Sequence, residues 1–156
     1  MNLKIKYITT AAMIAAIYSA LTIAGYAFSY GPVQFRFSEA LMILPILTPA
    51  AIPGLTIGCV ISNWVGPYGV YDIILGSFAT FLAAVFAYKF RKLPYIAPLG
   101  AVVFNAFIVG ALIYFFVPIK TVYLSNVVNI GLGELVICYV LGLPLYFILK
   151  RTKLFN

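Results

Sequence analysis

Apolar residues run almost without interruption through six segments of this chain, and polar residues are concentrated between them and at their ends. The segments are approximately 7–27, 39–51, 53–64, 70–90, 97–117 and 126–149. Four of them reach the roughly 20 residues that an α-helix needs to cross a bilayer. They are continuously apolar, whereas the strands of a membrane β-barrel alternate between apolar and polar positions. The pattern therefore predicts an all-α integral membrane protein with six transmembrane helices.

The second and third segments differ from the other four. They are shorter, and Pro45, Pro49 and Pro53 interrupt them. Because proline breaks or kinks a helix interior, we do not expect two straight, full-length spanning helices here. Six spans occupy nearly all of the 156 residues, so we expect a single transmembrane domain over 1–156 and no separate soluble domain.

The composition excludes several classes of protein. Hydrophobic residues make up 65% of the chain and charged residues only 8%, against roughly 25% charged in a soluble globular domain. A soluble enzyme, a nucleic-acid-binding module and a disordered chain are therefore excluded. The formal net charge of +7 does not indicate a nucleic-acid partner, because the basic residues lie in short groups at the helix ends.

The basic residues also predict the orientation in the membrane. With the N-terminus in the cytoplasm, two of the ten Lys and Arg residues fall outside, Arg36 and Lys120. The other eight fall inside, namely Lys4, Lys6, Lys89, Arg91, Lys92, Lys150, Arg151 and Lys153. Since cytoplasmic loops carry the excess of Lys and Arg, this distribution predicts that both termini are cytoplasmic.

The polar side chains at membrane depth gather in the outer half of the predicted bundle. The three acidic residues of the chain are Glu39, Asp72 and Glu134. Five uncharged polar residues show the same distribution. They are Gln34, Asn63, Asn105, Asn126 and Asn129. Polar groups within a membrane are costly and usually face an interior cavity or a partner. We therefore expect one polar pocket, formed from several helices and open to the outside.

Each of these residues also has a purely structural interpretation. Glu39 and Asp72 begin predicted helices, where an acid complements the helix dipole, and Arg36 could simply pair with Glu39. Asn105 could join two helices by a hydrogen bond. Glu134 differs because it lies inside an apolar helix, so dipole complementation explains it poorly. Glu134 is therefore the first candidate for a ligand-binding residue.

Features of catalytic and metal sites are absent from the sequence. The chain has no histidine, and its two cysteines, Cys59 and Cys138, lie in apolar runs without neighbouring ligands. We expect both thiols to be buried and inert. There is no glycine-rich phosphate-binding loop ending in Lys-Ser or Lys-Thr. We therefore expect no metal, no cofactor and no enzymatic activity in this chain.

The first segment carries a face of small residues. Ala12, Ala16 and Ala20 follow each other at intervals of four, which places them on one side of a helix. Such a face permits close approach of another helix in lipid. That helix could belong to a partner protein or to this chain. A weaker pattern of the same kind joins Gly54 and Gly58.

Four stretches of the chain resemble the QueT family. They are SYGPVQFRFSEAL at 29–41, AIPGLTIGC at 51–59, PYGVYD at 67–72 followed by Gly76 and Ser77, and GELVICY at 133–139. The members of this family are substrate-binding S components of energy-coupling factor (ECF) transporters, associated with queuosine precursors. The similarity covers nearly the whole chain.

The resemblance implies a fold, partners and a ligand. It implies a six-helix S-component bundle in a prokaryotic plasma membrane, with a pocket near the outer face. An S component works with a membrane scaffold, EcfT, and two ATPase subunits, which hydrolyse ATP. The face of Ala12, Ala16 and Ala20 is expected to meet the scaffold, and transport is thought to involve toppling of the loaded S component. The implied ligand is a 7-deazaguanine such as preQ1, or queuine.

The chemistry of the candidate residues suits such a ligand. A carboxylate can accept two adjacent N–H groups of a guanine-type edge, and Tyr68 could stack on the base. The candidate ligand-binding residues are Glu134, Glu39, Asn129, Asp72, Asn63, Gln34, Arg36, Asn105 and Tyr68. The main alternative is a small proton-coupled carrier in which Glu134 or Asp72 cycles a proton. A membrane enzyme and a helper subunit without a ligand fit these residues less well.

Overall fold

Helices account for all the regular secondary structure that the computed structural model describes, over residues 2–31, 34–118 and 121–152. We label six segments in chain order: α1 (Leu3–Ala24), α2 (Phe37–Ile46), α3 (Ala51–Val65), α4 (Asp72–Lys89), α5 (Leu99–Phe116) and α6 (Tyr123–Thr152). One short turn of helix, Tyr26–Ser29, follows α1. The predicted all-α fold is confirmed.

Four of the six segments, α1, α4, α5 and α6, are long and apolar enough to cross a membrane. The other two are shorter, with 10 residues in α2 and 15 in α3, as the prolines indicated. The α2 segment is a 3₁₀-helix that contains Pro45. Since a 3₁₀-helix rises about 2.0 Å per residue against 1.5 Å in an α-helix, α2 extends further than its length suggests. Pro53 lies in the first turn of α3, where its missing N–H has no intrahelical partner to lose.

The two ends of the bundle can be distinguished from contacts between distant parts of the chain. At one end, the start of α1, the α2–α3 turn and the end of α6 line a common apolar groove, at Leu3, Thr48 and Leu149. At the other end, the ring of Tyr71 at the start of α4 stacks on Phe116 at the end of α5, with centroids 4.2 Å apart. Successive segments therefore run in alternating directions.

Two glycines let α1 and α3 pack with their backbones in close contact. A Cβ at Gly54 would lie 2.7 Å from the Ala11 carbonyl oxygen, and one at Gly58 would lie 2.9 Å from that of Ala15. Both alanines are buried. The Gly54 and Gly58 pattern therefore marks an internal helix contact.

The alanine face predicted from the spacing is a different side of α1. Ala12, Ala16 and Ala20 are all exposed. Within the described residues, nothing in the chain buries them, so internal packing does not account for this face.

We expect Gly58→Leu to destabilise the fold. Any side chain at this position meets the α1 backbone, and inserting atoms into a well-packed contact typically costs about 1–3 kcal/mol. Thermal unfolding of the purified protein in detergent measures this loss. The matched control is Ala12→Leu on the exposed face of α1, which should unfold at the wild-type temperature. Equal unfolding temperatures for both variants would contradict the packing described here.

Candidate functional site

Two buried glutamates from different helices share one amide nitrogen. Asn105 Nδ2, on α5, donates to Glu134 Oε1 of α6 at 2.8 Å and to Glu39 Oε2 of α2 at 3.4 Å. The second oxygen of Glu39 accepts from the Tyr18 hydroxyl of α1, and that of Glu134 faces the Cys138 thiol at 3.8 Å. We call these five residues the glutamate network. It joins four helices and provides partners for all four carboxylate oxygens.

Local distortions of the helices accompany these polar residues. The helical hydrogen bonds widen to π-type turns at Asp72–Gly76, Asn105–Val109 and Ile137–Gly142. The first two turns begin at polar residues, and the third immediately follows the turn of helix that carries Glu134. Such π-bulges occur frequently at functional sites, because they change the direction in which neighbouring side chains point.

A second group of polar residues lies around Cys59. Its sulfur accepts from Asn63 Nδ2 at 3.4 Å and from Arg36 Nη1 at 3.9 Å. Asn63 Nδ2 also donates to the backbone oxygen of Asp72 at 2.9 Å. We call Arg36, Asn63 and Asp72, together with Gln34 two residues before Arg36, the aspartate cluster.

Unlike the glutamate network, the aspartate cluster is poorly satisfied. The described residues include six buried side-chain atoms without a hydrogen-bond partner, Gln34 Nε2, Arg36 Nη2, Asn63 Oδ1, Asp72 Oδ1 and Oδ2, and Ser77 Oγ. Five of the six belong to the aspartate cluster. Buried polar groups in proteins are nearly always hydrogen-bonded, so such a concentration needs an explanation. The carboxylate of Asp72 in particular caps no backbone N–H group.

Aromatic side chains lie beside this cluster. The Arg36 guanidinium is 5.2 Å from the centre of the Tyr30 ring, and the Tyr68 hydroxyl donates to the Tyr30 carbonyl at 3.0 Å. Burial raises the pKa of Tyr30 to about 12. Its hydroxyl is therefore protonated at neutral pH and donates to the Ser62 carbonyl at 2.8 Å.

The loop before α2 closes over the glutamate network. A Cβ at Gly133 would lie 2.6 Å from the backbone oxygen of Gln34, so this contact requires glycine beside Glu134. The carboxylates of both groups are at most 4% exposed, and Gln34, Arg36, Asn63 and Asn105 are at most 5% exposed. The structure thus buries seven of the predicted polar residues, in two groups. It encloses them, whereas we expected a pocket open to the outside.

The structure corrects one expected contact and places two of the predicted polar residues outside both groups. Arg36 forms no ion pair with Glu39 in the described structure, because its guanidinium turns towards Cys59 and Tyr30. Asn129 contacts Ser125 at 3.5 Å and hydrogen-bonds to neither polar group. Asn126 is similarly occupied with local partners near the start of α6. Both cysteines are buried and free, as expected.

Sequence reasoning missed Tyr18. This tyrosine is fully buried on α1 and hydrogen-bonds to Glu39, while Thr22, one turn later, contacts Ser38 at 2.6 Å. A usable signal was present, because a tyrosine inside an apolar helix needs a partner for its hydroxyl.

An apolar helical bundle that encloses three carboxylates and one guanidinium defines an integral membrane protein built around a polar site. The particular family follows from comparison with known proteins. The chain belongs to the QueT transporter family, whose sequence profile matches residues 8–151. The resemblance seen in the four quoted stretches is confirmed.

A curated relative supports the same assignment over part of the chain. The chain is 41% identical over 75 residues to the queuosine precursor transporter QueT of Lactococcus lactis subsp. cremoris (strain MG1363). This match covers 47% of the chain and 44% of that protein, less than half the length of either. No solved structure matches the chain at a significant level.

Proposed function

We propose that this chain is the substrate-binding S component of an ECF-type importer, and that it captures a queuosine precursor. The ligand would be a 7-deazaguanine such as preQ1, or queuine. The observation that carries this proposal is the burial of all three acids, Glu39, Asp72 and Glu134, together with the Arg36 guanidinium inside an apolar bundle. Three acids and one cation suit a planar solute rich in N–H donors better than they suit an anion.

The proposed binding residues are those expected from the sequence. They are Glu134, Glu39, Asn129, Asp72, Asn63, Gln34, Arg36, Asn105 and Tyr68. All but Asn129 and Tyr68 are buried in the two polar groups. Tyr68, half-buried at the outer end, is the candidate for stacking on the base.

Titration of the purified chain with 7-aminomethyl-7-deazaguanine, followed by calorimetry, tests the proposal. We expect saturable one-site binding, with adenine as a control that does not bind. Mass spectrometry of compounds that co-purify with the chain should detect a 7-deazapurine. Absence of binding, or co-purification of a different class of solute, would overturn the assignment.

We also propose six membrane crossings with both termini in the cytoplasm. The alternating directions of the six segments support this arrangement. Seven of the eight basic residues assigned to the inside lie in the described part of the chain, and Lys153 lies outside it, as does Lys120. The four long helices cross the membrane in this proposal, and α2 and α3 form a shorter pair of crossings.

Site-directed labelling tests this topology. A cysteine at Lys92, between α4 and α5, should react with an impermeant maleimide only from the cytoplasmic side. A cysteine at Val122, which is 68% exposed before α6, should react only from outside. The native Cys59 and Cys138 are buried and serve as the background control. External labelling at position 92 would contradict the six-span proposal.

Partners supply the energy in this proposal. The exposed face of Ala12, Ala16 and Ala20 would dock on the EcfT scaffold, and two ATPase subunits would hydrolyse ATP. Small exposed residues at helical spacing permit the close backbone approach that helix association in lipid requires.

A second candidate function is a small proton-coupled carrier. The two carboxylates that share the Asn105 nitrogen favour it, since like charges held this close bind a proton or a cation readily. Uptake into vesicles that contain only this chain, driven by a pH gradient, would support the carrier. Uptake that requires ATP and the partner subunits would support the importer.

A further inference from the structure

We propose that Asp72 reads the pyrimidine edge of the ligand, whereas the Glu39–Glu134 pair receives a positively charged substituent. This division of roles rests on the proposed function, because it assumes a 7-deazaguanine ligand. It departs from the sequence-based expectation, in which Glu134 was the first candidate for ligand binding and Asp72 had an equal claim to be a helix-dipole residue.

The first support is the difference in hydrogen bonding between the acids. Both oxygens of Asp72 are buried and accept no hydrogen bond, and Asn63 Oδ1 beside them is also unpartnered. The oxygens of Glu39 and Glu134 face Tyr18, Asn105 and Cys138. A buried carboxylate without hydrogen-bond donors is costly. Asp72 is therefore the acid to which a ligand can supply the missing donors.

The second support is the number of free donors and acceptors. The aspartate cluster offers three acceptor atoms, two on Asp72 and one on Asn63, and two donor atoms, Arg36 Nη2 and Gln34 Nε2, the latter beside the Tyr68 hydroxyl. The 2-amino-4-oxo pyrimidine edge of a guanine-type base has three N–H bonds, one on the ring nitrogen and two on the amino group. Its oxo oxygen has two lone pairs. Each free atom of the cluster therefore has a matching atom on this edge.

The geometry around Gly76 places the Asp72 carboxylate and the Asn63 amide next to each other. A Cβ at Gly76 would lie 2.5 Å from Asp72 Oδ1 and 2.7 Å from Asn63 Nδ2. The carboxylate and the amide thus both pack against the backbone of Gly76, where a side-chain carbon does not fit. Glycine at position 76 lets these two groups lie side by side.

The glutamate pair suits the other part of the ligand. Two carboxylates gathered around one amide nitrogen repel each other unless a proton or a cation lies between them. An aminomethyl group is cationic at neutral pH and can donate three hydrogen bonds, as a lysine ammonium does.

The two groups adjoin through the segment before α2, so the proposal has one ligand spanning both. The Glu39 N–H donates to the Arg36 carbonyl oxygen at 2.9 Å, and the Gln34 backbone packs against Gly133, next to Glu134. Because all these side chains are buried, entry of a base requires them to rearrange.

Two ligands that share the guanine-type edge but differ in the substituent at position 7 separate the roles. They are 7-aminomethyl-7-deazaguanine, which is cationic, and 7-cyano-7-deazaguanine, which is neutral. By calorimetry, Asp72→Asn should weaken both on the order of 10- to 100-fold, the loss typical of a charge-assisted hydrogen bond. Glu134→Gln should weaken the aminomethyl compound by a similar factor and leave the cyano compound within about threefold of wild type.

A third ligand tests the contact with Asp72 directly. This ligand is 7-aminomethyl-7-deazahypoxanthine, which differs from 7-aminomethyl-7-deazaguanine only by the absence of the 2-amino group. It should bind wild type more weakly than the guanine analogue, and Asp72→Asn should reduce that difference. Gly76→Ala should weaken all three ligands without changing a charge. Gly131→Ala is its control, because the added carbon meets only Ala106 Cβ at 3.5 Å.

The outcomes distinguish this inference from the proposed function. If wild type binds none of the ligands, the proposed function is wrong. If wild type binds the guanine analogues but Asp72→Asn binds both with unchanged affinity, the assignment of Asp72 is wrong. If Glu134→Gln weakens the neutral and cationic ligands equally, the division of roles is wrong. Thermal unfolding of each variant confirms that it is folded.

Discussion

Replacing Ala16 with tryptophan is expected to reduce uptake by the assembled transporter to background while ligand binding by the isolated chain persists. Ala16 is exposed on α1 between Ala12 and Ala20. A large ring there would prevent close approach of a partner helix, which requires small residues. Affinity should stay within about threefold, since exposed substitutions change free energies by roughly 0.5 kcal/mol. Uptake of labelled ligand and co-purification of the scaffold measure the first effect, and calorimetry measures the second.

The matched control is Val140→Trp, a position on α6 that is 62% exposed. This variant should transport at the wild-type rate, because adding a ring to a lipid-facing position blocks no docking in the proposed arrangement. Loss of binding together with uptake in Ala16→Trp would mean that the alanine face supports the fold of this chain. Normal uptake in Ala16→Trp would mean that no partner docks on this face.

Arg36→Met is expected to produce the largest loss of stability. Arg36 is the buried cation of the described structure, 5% exposed, and its side chain reaches Cys59, which Asn63 of the aspartate cluster also contacts. Methionine preserves much of the side-chain length but leaves the buried acids without a nearby positive charge. Removing one partner from a group of buried charges typically costs about 3–5 kcal/mol. Thermal unfolding in detergent at neutral pH measures the loss.

A second substitution should reverse part of this effect. In the double variant Arg36→Met with Asp72→Asn, one of the buried negative charges disappears together with the cation, so the protein should unfold at a higher temperature than Arg36→Met alone. Arg91→Met, at an exposed position between α4 and α5, is the control and should leave the stability within about 0.5 kcal/mol. Strictly additive effects of the two substitutions would mean that the Arg36 and Asp72 charges do not interact.

The all-helical class, the positions of the helices and the family could be predicted from the sequence. They depend on local properties, because a continuous apolar run forms a helix in lipid wherever it lies in the fold. Helix ends were predicted to within a few residues. The type of helix was not predicted for α2, which is a 3₁₀-helix. Its apolar pattern does not distinguish a 3₁₀-helix from an α-helix, although Pro45 lies inside it.

The identity of the polar residues was also available from the sequence, but their pairing was not. Glu39 and Asn105 are 66 positions apart, and Asn105 and Glu134 are 29 apart. Whether such residues meet depends on how each helix is rotated about its axis. Spacing shows which residues share a face of α1, yet the face with Ala12 and the face with Ala15 both consist of small residues.

The tertiary structure decided these questions. Packing of Gly54 and Gly58 against α1 buries the Ala15 side and leaves the Ala16 side exposed, which also directs Tyr18 towards Glu39. The sequence by itself determined that a polar site exists inside an apolar bundle, because polar residues at membrane depth must find partners. Only the folded structure decided that the glutamates are satisfied and Asp72 is not, because hydrogen bonds depend on distances between atoms that the chain order does not set.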